Sequence, residues 1–199
     1  RRGDLLIAEG AGGVLASVPD AGSLRCVYET GVPSLLGRLG VTSADLTAVF
    51  LVTPLFTAGT VPAPPHLALK EQESFLLDRN RSGSACNRQP KYGWLDLQRL
   101  RLARERNQID GLIVTKLDLL AGLPHIRIYD GEELLVQLPG WRGMLPSSGQ
   151  WSELPREVRR WLDTLEGVSG IPVVAASAGQ GLNSFFLRID TLSPTALNW

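Results

Sequence analysis

A chain of 199 residues, 44% hydrophobic and 20% charged, is long enough to bury a core as one compact domain or two small ones, and its 20 basic and 20 acidic side chains leave no net charge. The two signs divide evenly along the chain and no apolar run approaches the length of a membrane-spanning helix, so nucleic-acid and membrane partners are excluded and a cytoplasmic location is expected. Cys26 and Cys86 stand far apart with no Cys-x-x-Cys partner, a spacing that supports neither a disulfide framework nor a zinc site.

Residues 4–9 (DLLIAE) form a short apolar run closed by Gly10-Ala11-Gly12-Gly13, the pattern of a buried strand entering a tight turn. Residues 46–53 (LTAVFLVT) are rich in β-branched and aromatic side chains and stop at Pro54, which predicts a central strand. The glycine and prolines of residues 57–65 (TAGTVPAPP) predict a loop. A second long loop is predicted over 79–93, carrying Arg79, Arg81, Arg88 and Lys91. Residues 94–107 contain no Gly or Pro and consist of strong helix formers, so a helix is predicted there. Strands follow at 111–115 (GLIVT) and 126–129 (IRIY), with Asp130-Gly131 turning the chain. Over 154–166, Leu154, Val158, Trp161, Leu162 and Leu165 recur on one helical face, with Pro155 in the first turn and Gly167 near the stop. Residues 173–177 (VVAAS) read as a buried strand leading into Ala178-Gly179-Gln180-Gly181. Helices alternating with apolar strands predict a single α/β domain over 1–199, a mainly parallel sheet with flanking helices.

The chemistry gathers at two strand ends. Thr115-Lys116-Leu117-Asp118 directly follows the strand at 111–115, and open α/β sheets bind ligands in the crevice beyond the carboxyl ends of their strands. A carboxylate there can accept the paired donors of a guanine, its ring N–H and exocyclic amine, while the stem of Lys116 lies along the base. Ser177-Ala178-Gly179 follows the next buried strand, a small turn whose backbone N–H groups can reach a base carbonyl. One loop supplies acceptors and the other donors.

Other candidates carry less. His66 and His125 have no nucleophile pattern beside them. Glu71 with Glu73, and Glu132 with Glu133, read as solvated carboxylates rather than acid–base pairs. Arg99, Arg101, Arg104 and Arg106 read as a solvated helix face, and Trp94 as core.

The chain resembles the adenylosuccinate synthetase family. The likeness is carried by Gly93-Trp94-Leu95-Asp96 opening a helix, by Asp110-Gly111-Leu112-Ile113-Val114-Thr115-Lys116-Leu117-Asp118, and by Leu154-Pro155 with the amphipathic helix after it. It continues through Gly170-Ile171-Pro172-Val173-Val174 to the Ser-x-Gly turn. Upstream, Ala8-Glu9-Gly10-Ala11-Gly12-Gly13 is similar to the family's Phe-Glu-Gly-Ala-Gln-Gly turn, and Thr57-Ala58-Gly59-Thr60-Val61-Pro62 to its Gly-rich loop. The resemblance implies part of a P-loop-NTPase-like fold, the C-terminal half of the synthetase. It implies guanine contacts from Lys116 and Asp118 and from Ser177 and Gly179, and places Arg88 on the first arginine of the family's aspartate and nucleotide loop. In that loop Ala85 and Cys86 replace two threonines, Asn87 a glycine, and Pro90 and Lys91 two arginines; Gly12 stands for a Gln and Leu55 for an Arg.

By resemblance the function is GTP-dependent ligation of aspartate to IMP in purine nucleotide biosynthesis, with GTP and magnesium as cofactors and a homodimer as the assembly. The magnesium ligands, the phosphate-binding glycine loop and the catalytic residues belong to the family's other half, which makes a missing N-terminal half the second expected partner. A degenerate guanine-nucleotide-binding module, or a fold remnant, is the alternative reading. Because Met144 is the only methionine and the chain opens at Arg1, the sequence is expected to be part of a longer product.

Overall fold

The computed structural model describes residues 31–59, 63–80, 90–146, 149–179, 181 and 184–188. The strand expected at 4–9, its glycine turn, both cysteines and Arg81 and Arg88 lie outside the described residues. In chain order the elements are α1 (Val32–Leu39), β1 (Phe50–Pro54), β2 (Phe56–Gly59), α2 (Glu71–Asn80), β3 (Lys91–Asp96) and α3 (Leu97–Asn107). They continue with β4 (Gly111–Thr115), β5 (His125–Asp130), β6 (Glu133–Pro139), α4 (Arg156–Ser169), β7 (Val173–Ser177) and β8 (Phe185–Leu187).

Two four-stranded sheets result. The first runs β1-β4-β7-β8, its first three strands parallel and β8 antiparallel, as the alternation of helix and apolar strand predicts. The second runs β2-β3-β5-β6, with β3 and β5 parallel and the outer pairs antiparallel. β6 escapes a reading by pattern because its residues are mostly exposed on both sides, which erases the alternation that marks a half-buried strand. Part of the loop expected at 57–65 is strand as well: β2 pairs with β3 before the prolines begin. Opposite Thr57, Gly93 has no room for a side chain, since a Cβ would fall 2.6 Å from that of Ala63 and 2.7 Å from Thr57 Oγ1.

The expected helix at 94–107 begins later than its propensities suggest. Trp94, Leu95 and Asp96 complete β3, and the Asp96 carboxylate then caps α3 by accepting from the N–H of Gln98 at 3.0 Å. The same oxygen accepts the N–H of Gly131 at 3.1 Å, so one side chain sets both the helix start and the β5–β6 turn. α4 follows its periodic signal closely. Leu154, Val158, Trp161, Leu162 and Leu165 are all buried, each burial contributing about 2 kcal/mol, and Gly170 at φ 65° ends the helix. Arg104 of α3 donates to the Gly170 carbonyl at 2.9 Å and so ties the two helices.

A single core cluster joins both sheets, from Leu55, Phe56 and Trp94 through Leu112 and Val114 to Trp161 and Phe186. Leu55 sits where the chain leaves the first sheet and enters the second, and is fully buried.

Candidate functional site

Parallel pairing places the C-terminal ends of β1, β4 and β7 along one edge of the first sheet. Pro54 pairs with Thr115, and Val114 with Ala176, so the chain leaves β4 at Lys116 and β7 at Ala178 from neighbouring strands about 5 Å apart. The sequence-predicted residues Lys116, Asp118, Ser177 and Gly179 therefore lie on neighbouring loops at one edge of the first sheet; Arg88 lies outside the described residues.

The first loop turns abruptly. Lys116 adopts the left-handed conformation, φ 59° and ψ 34°, and caps a short 3-10 turn, Leu117–Leu120. Leu117, Leu119 and Leu120 are buried, which anchors the turn and leaves exposed Lys116 and half-buried Asp118 at its outer side. Neither forms an ion pair with another described residue.

The second loop is tied inwardly. The buried Ser177 hydroxyl donates to the Gly179 carbonyl at 3.0 Å, and the Ala178 N–H donates to the Ser184 carbonyl at 3.0 Å. Of the two backbone donors expected to be open, Ala178's is thus in use, whereas Gly179's meets no described residue. Gly179 sits close to Ser184: a Cβ would lie 3.1 Å from its Oγ, which would have to give by a few tenths of an ångström. Ser184, buried and donating its own N–H to the Gly181 carbonyl at 2.9 Å, closes the loop. It carries no sequence signal, because a serine before an apolar strand belongs to no recognisable pattern.

Two side chains dismissed as solvated behave differently from one another. Glu71 is exposed, but Glu73 is buried, its carboxylate accepting from Arg127 Nη1 at 2.8 Å and from the Lys70 N–H at 2.9 Å. Arg127 also donates to Gln137 at 2.9 Å and stacks its guanidinium 5.4 Å from the centroid of buried Trp94. Glu132 and Glu133 are exposed as expected, and Arg101 pairs with Asp130 at 2.8 Å. Among the described residues no three His, Cys, Asp or Glu side chains gather to hold a metal ion, and no helix is long and apolar enough to cross a membrane.

The family model described as adenylosuccinate synthetase matches residues 1–133, two thirds of the chain, a range that includes Lys116 and Asp118 and stops short of Ser177 and Gly179. The chain belongs to the adenylosuccinate synthetase family. It is 31% identical over 207 residues to the synthetase of Desulforudis audaxviator, covering 91% of this chain and 48% of that relative. With the Thermus thermophilus synthetase it shares 31% over 194 residues, 89% of this chain and 47% of the relative. The chloroplastic synthetase of Triticum aestivum is 30% identical over 198 residues, 88% of this chain and 40% of the relative. The fold agrees with the fully ligated adenylosuccinate synthetase from Plasmodium falciparum at a TM-score of 0.70 and 22% identity, over 80% of this chain and 44% of that one. The chain spans about half the length of the relatives it matches.

Within the family's pattern Leu55 takes a telling position. Where the resemblance places an arginine, this chain has a leucine that is fully buried in the shared core, so the position offers packing and no charge.

Proposed function

We propose that this chain is the guanine-nucleotide-binding half of an adenylosuccinate synthetase-like ligase, working in purine nucleotide biosynthesis with GTP and magnesium. The observation that carries the reading is the adjacency of two loops at one sheet edge, one bearing a cation and a carboxylate with no ion-pair partner among the described residues, the other a backbone donor with no acceptor among them. In this reading Asp118 accepts the ring N–H and exocyclic amine of guanine, Lys116 covers the base, and Gly179, on a turn held by Ser177, donates to the base carbonyl. Arg88 would reach the nucleotide or amino-acid substrate. By resemblance the magnesium ligands belong to the other half of the synthetase. A cytoplasmic location and a homodimer complete the proposal by analogy with the family.

The test is calorimetric titration of the chain with GDP and with ADP, alongside Asp118→Ala. GDP should bind and ADP should not, because adenine would leave the carboxylate unpaired; Asp118→Ala should erase about 10- to 100-fold of that preference with the fold intact. Equal binding of both nucleotides, or of neither, would end the reading.

A binding module without ligation is the second reading, favoured by Leu55 standing buried in place of an arginine. It predicts GDP binding without GTP-, IMP- and aspartate-dependent phosphate release, even when the rest of the synthetase is supplied.

A further inference from the structure

Ser184 stands at the same sheet edge as the two loops, with a side chain that neither of them uses. β8 pairs antiparallel with β7, Ser177 opposite Phe185, and one step further the Ala178 N–H donates to the Ser184 carbonyl at 3.0 Å. Ser184 therefore faces the second loop just beyond the carboxyl end of β7, beside the end of β4. Its backbone is fully occupied, since its N–H donates to the Gly181 carbonyl at 2.9 Å. The side chain is not. Ser184 is 7% exposed, and its hydroxyl has no hydrogen-bond partner among the described residues. The Ser177 hydroxyl, by contrast, is spent on the Gly179 carbonyl at 3.0 Å. Nearly buried hydroxyls are paired as a rule, so one left open beside a ligand-binding edge calls for a partner from the ligand.

The position of that hydroxyl fixes what it can reach. It lies 3.1 Å from the point a Gly179 Cβ would occupy, which with ordinary bond lengths puts it within about 6 Å of the Gly179 nitrogen. The Gly179 N–H meets no described acceptor either. An oxygen about 3 Å from each of two donors bridges donors up to about 6 Å apart, and a carbonyl oxygen has two lone pairs to offer them. We propose that Ser184 is a specificity-determining residue of this edge: its hydroxyl and the Gly179 N–H together take the 6-carbonyl oxygen of an oxopurine base. The assignment rests on the guanine reading given under Proposed function and adds to it a second group that recognises the carbonyl. An amino group at the same position would set its own N–H against that of Gly179, and a base with neither group would leave both donors unpaired. Recognition is then divided between the loops, with Asp118 reading the ring N–H and the 2-amine while Ser184 and Gly179 read the 6-oxygen.

The experiment titrates the full chain and Ser184→Ala calorimetrically with three nucleotides, reading weak binders by competition against GDP. The first is GDP itself. Inosine diphosphate keeps the 6-oxygen and lacks the 2-amine, and 2-aminopurine riboside diphosphate keeps the 2-amine and lacks the 6-oxygen. Ser184→Ala should weaken GDP and inosine diphosphate alike, by about 3- to 10-fold, and leave the affinity for the 2-aminopurine nucleotide unchanged. The thermal midpoint of the variant should not fall, because the folded chain loses no hydrogen bond of its own. Equal weakening of all three nucleotides would place the effect away from the 6-position and overturn the proposal. GDP and inosine diphosphate binding that ignores the substitution would overturn it too, as expected of a hydroxyl that holds only water. The parent chain separates the two readings: preference for GDP over ADP that survives in Ser184→Ala with undiminished affinity ends this assignment alone, whereas a parent that binds none of the nucleotides ends the guanine site and the role of Ser184 with it.

Discussion

Lys116 occupies a conformation that suits glycine. At φ 59° its Cβ crowds the following carbonyl, a strain of about 1 kcal/mol, yet a glycine there would remove the stem proposed to cover a base. Lys116→Gly should therefore raise the thermal midpoint by about 2–4 °C while weakening GDP binding, a trade that calorimetry and thermal melts of one variant would display together. If the midpoint fell, the turn would be held by the lysine side chain rather than strained by it. Gly179 is the opposite case, since its conformation is ordinary and space is what it supplies. Gly179→Val should push the loop away from Ser184, costing about 1–3 kcal/mol in denaturant unfolding and the guanine preference with it. The placement of Asp118 and Gly179 just beyond strand ends is legible in the sequence because each comes within three residues of an apolar strand; that of Ser184 is not, because it depends on a loop closing back upon Ala178.

Elements show where pattern reading holds and where partners decide. β4 and β7 are buried runs bounded by turns, and α4 has a strong apolar stripe, so burial repeats the order of the residues and these elements stand where the sequence puts them. α2 has no such stripe, and its Glu73 finds its partner on β5, 54 residues later, a pairing no local pattern contains. That pair fastens α2 to the second sheet, with Trp94 beneath the guanidinium. Because Glu73 is buried, Arg127→Met should cost about 3–5 kcal/mol by stranding its carboxylate. Adding Glu73→Gln should return part of the loss, since the double variant strands no charge. Urea unfolding of the three proteins checks this. Equal stability of Arg127→Met and the parent would reduce the pair to a surface contact.

At the scale of the molecule, the shared core makes one prediction that neither sheet makes alone. The chain passes from β1 to β2 through Leu55, and the cluster around it runs unbroken from Trp94 in the second sheet to Trp161 above the first. Sheets joined in that way unfold together, because opening either exposes apolar surface of the other. Leu55→Ala removes packing at the junction and should cost about 2–5 kcal/mol in both sheets at once. Native-state hydrogen exchange reads the two separately, through the amides of β3 and of β7. Their opening free energies should agree in the parent and fall by the same amount in the variant. A drop confined to β3 would make the second sheet an independent unit.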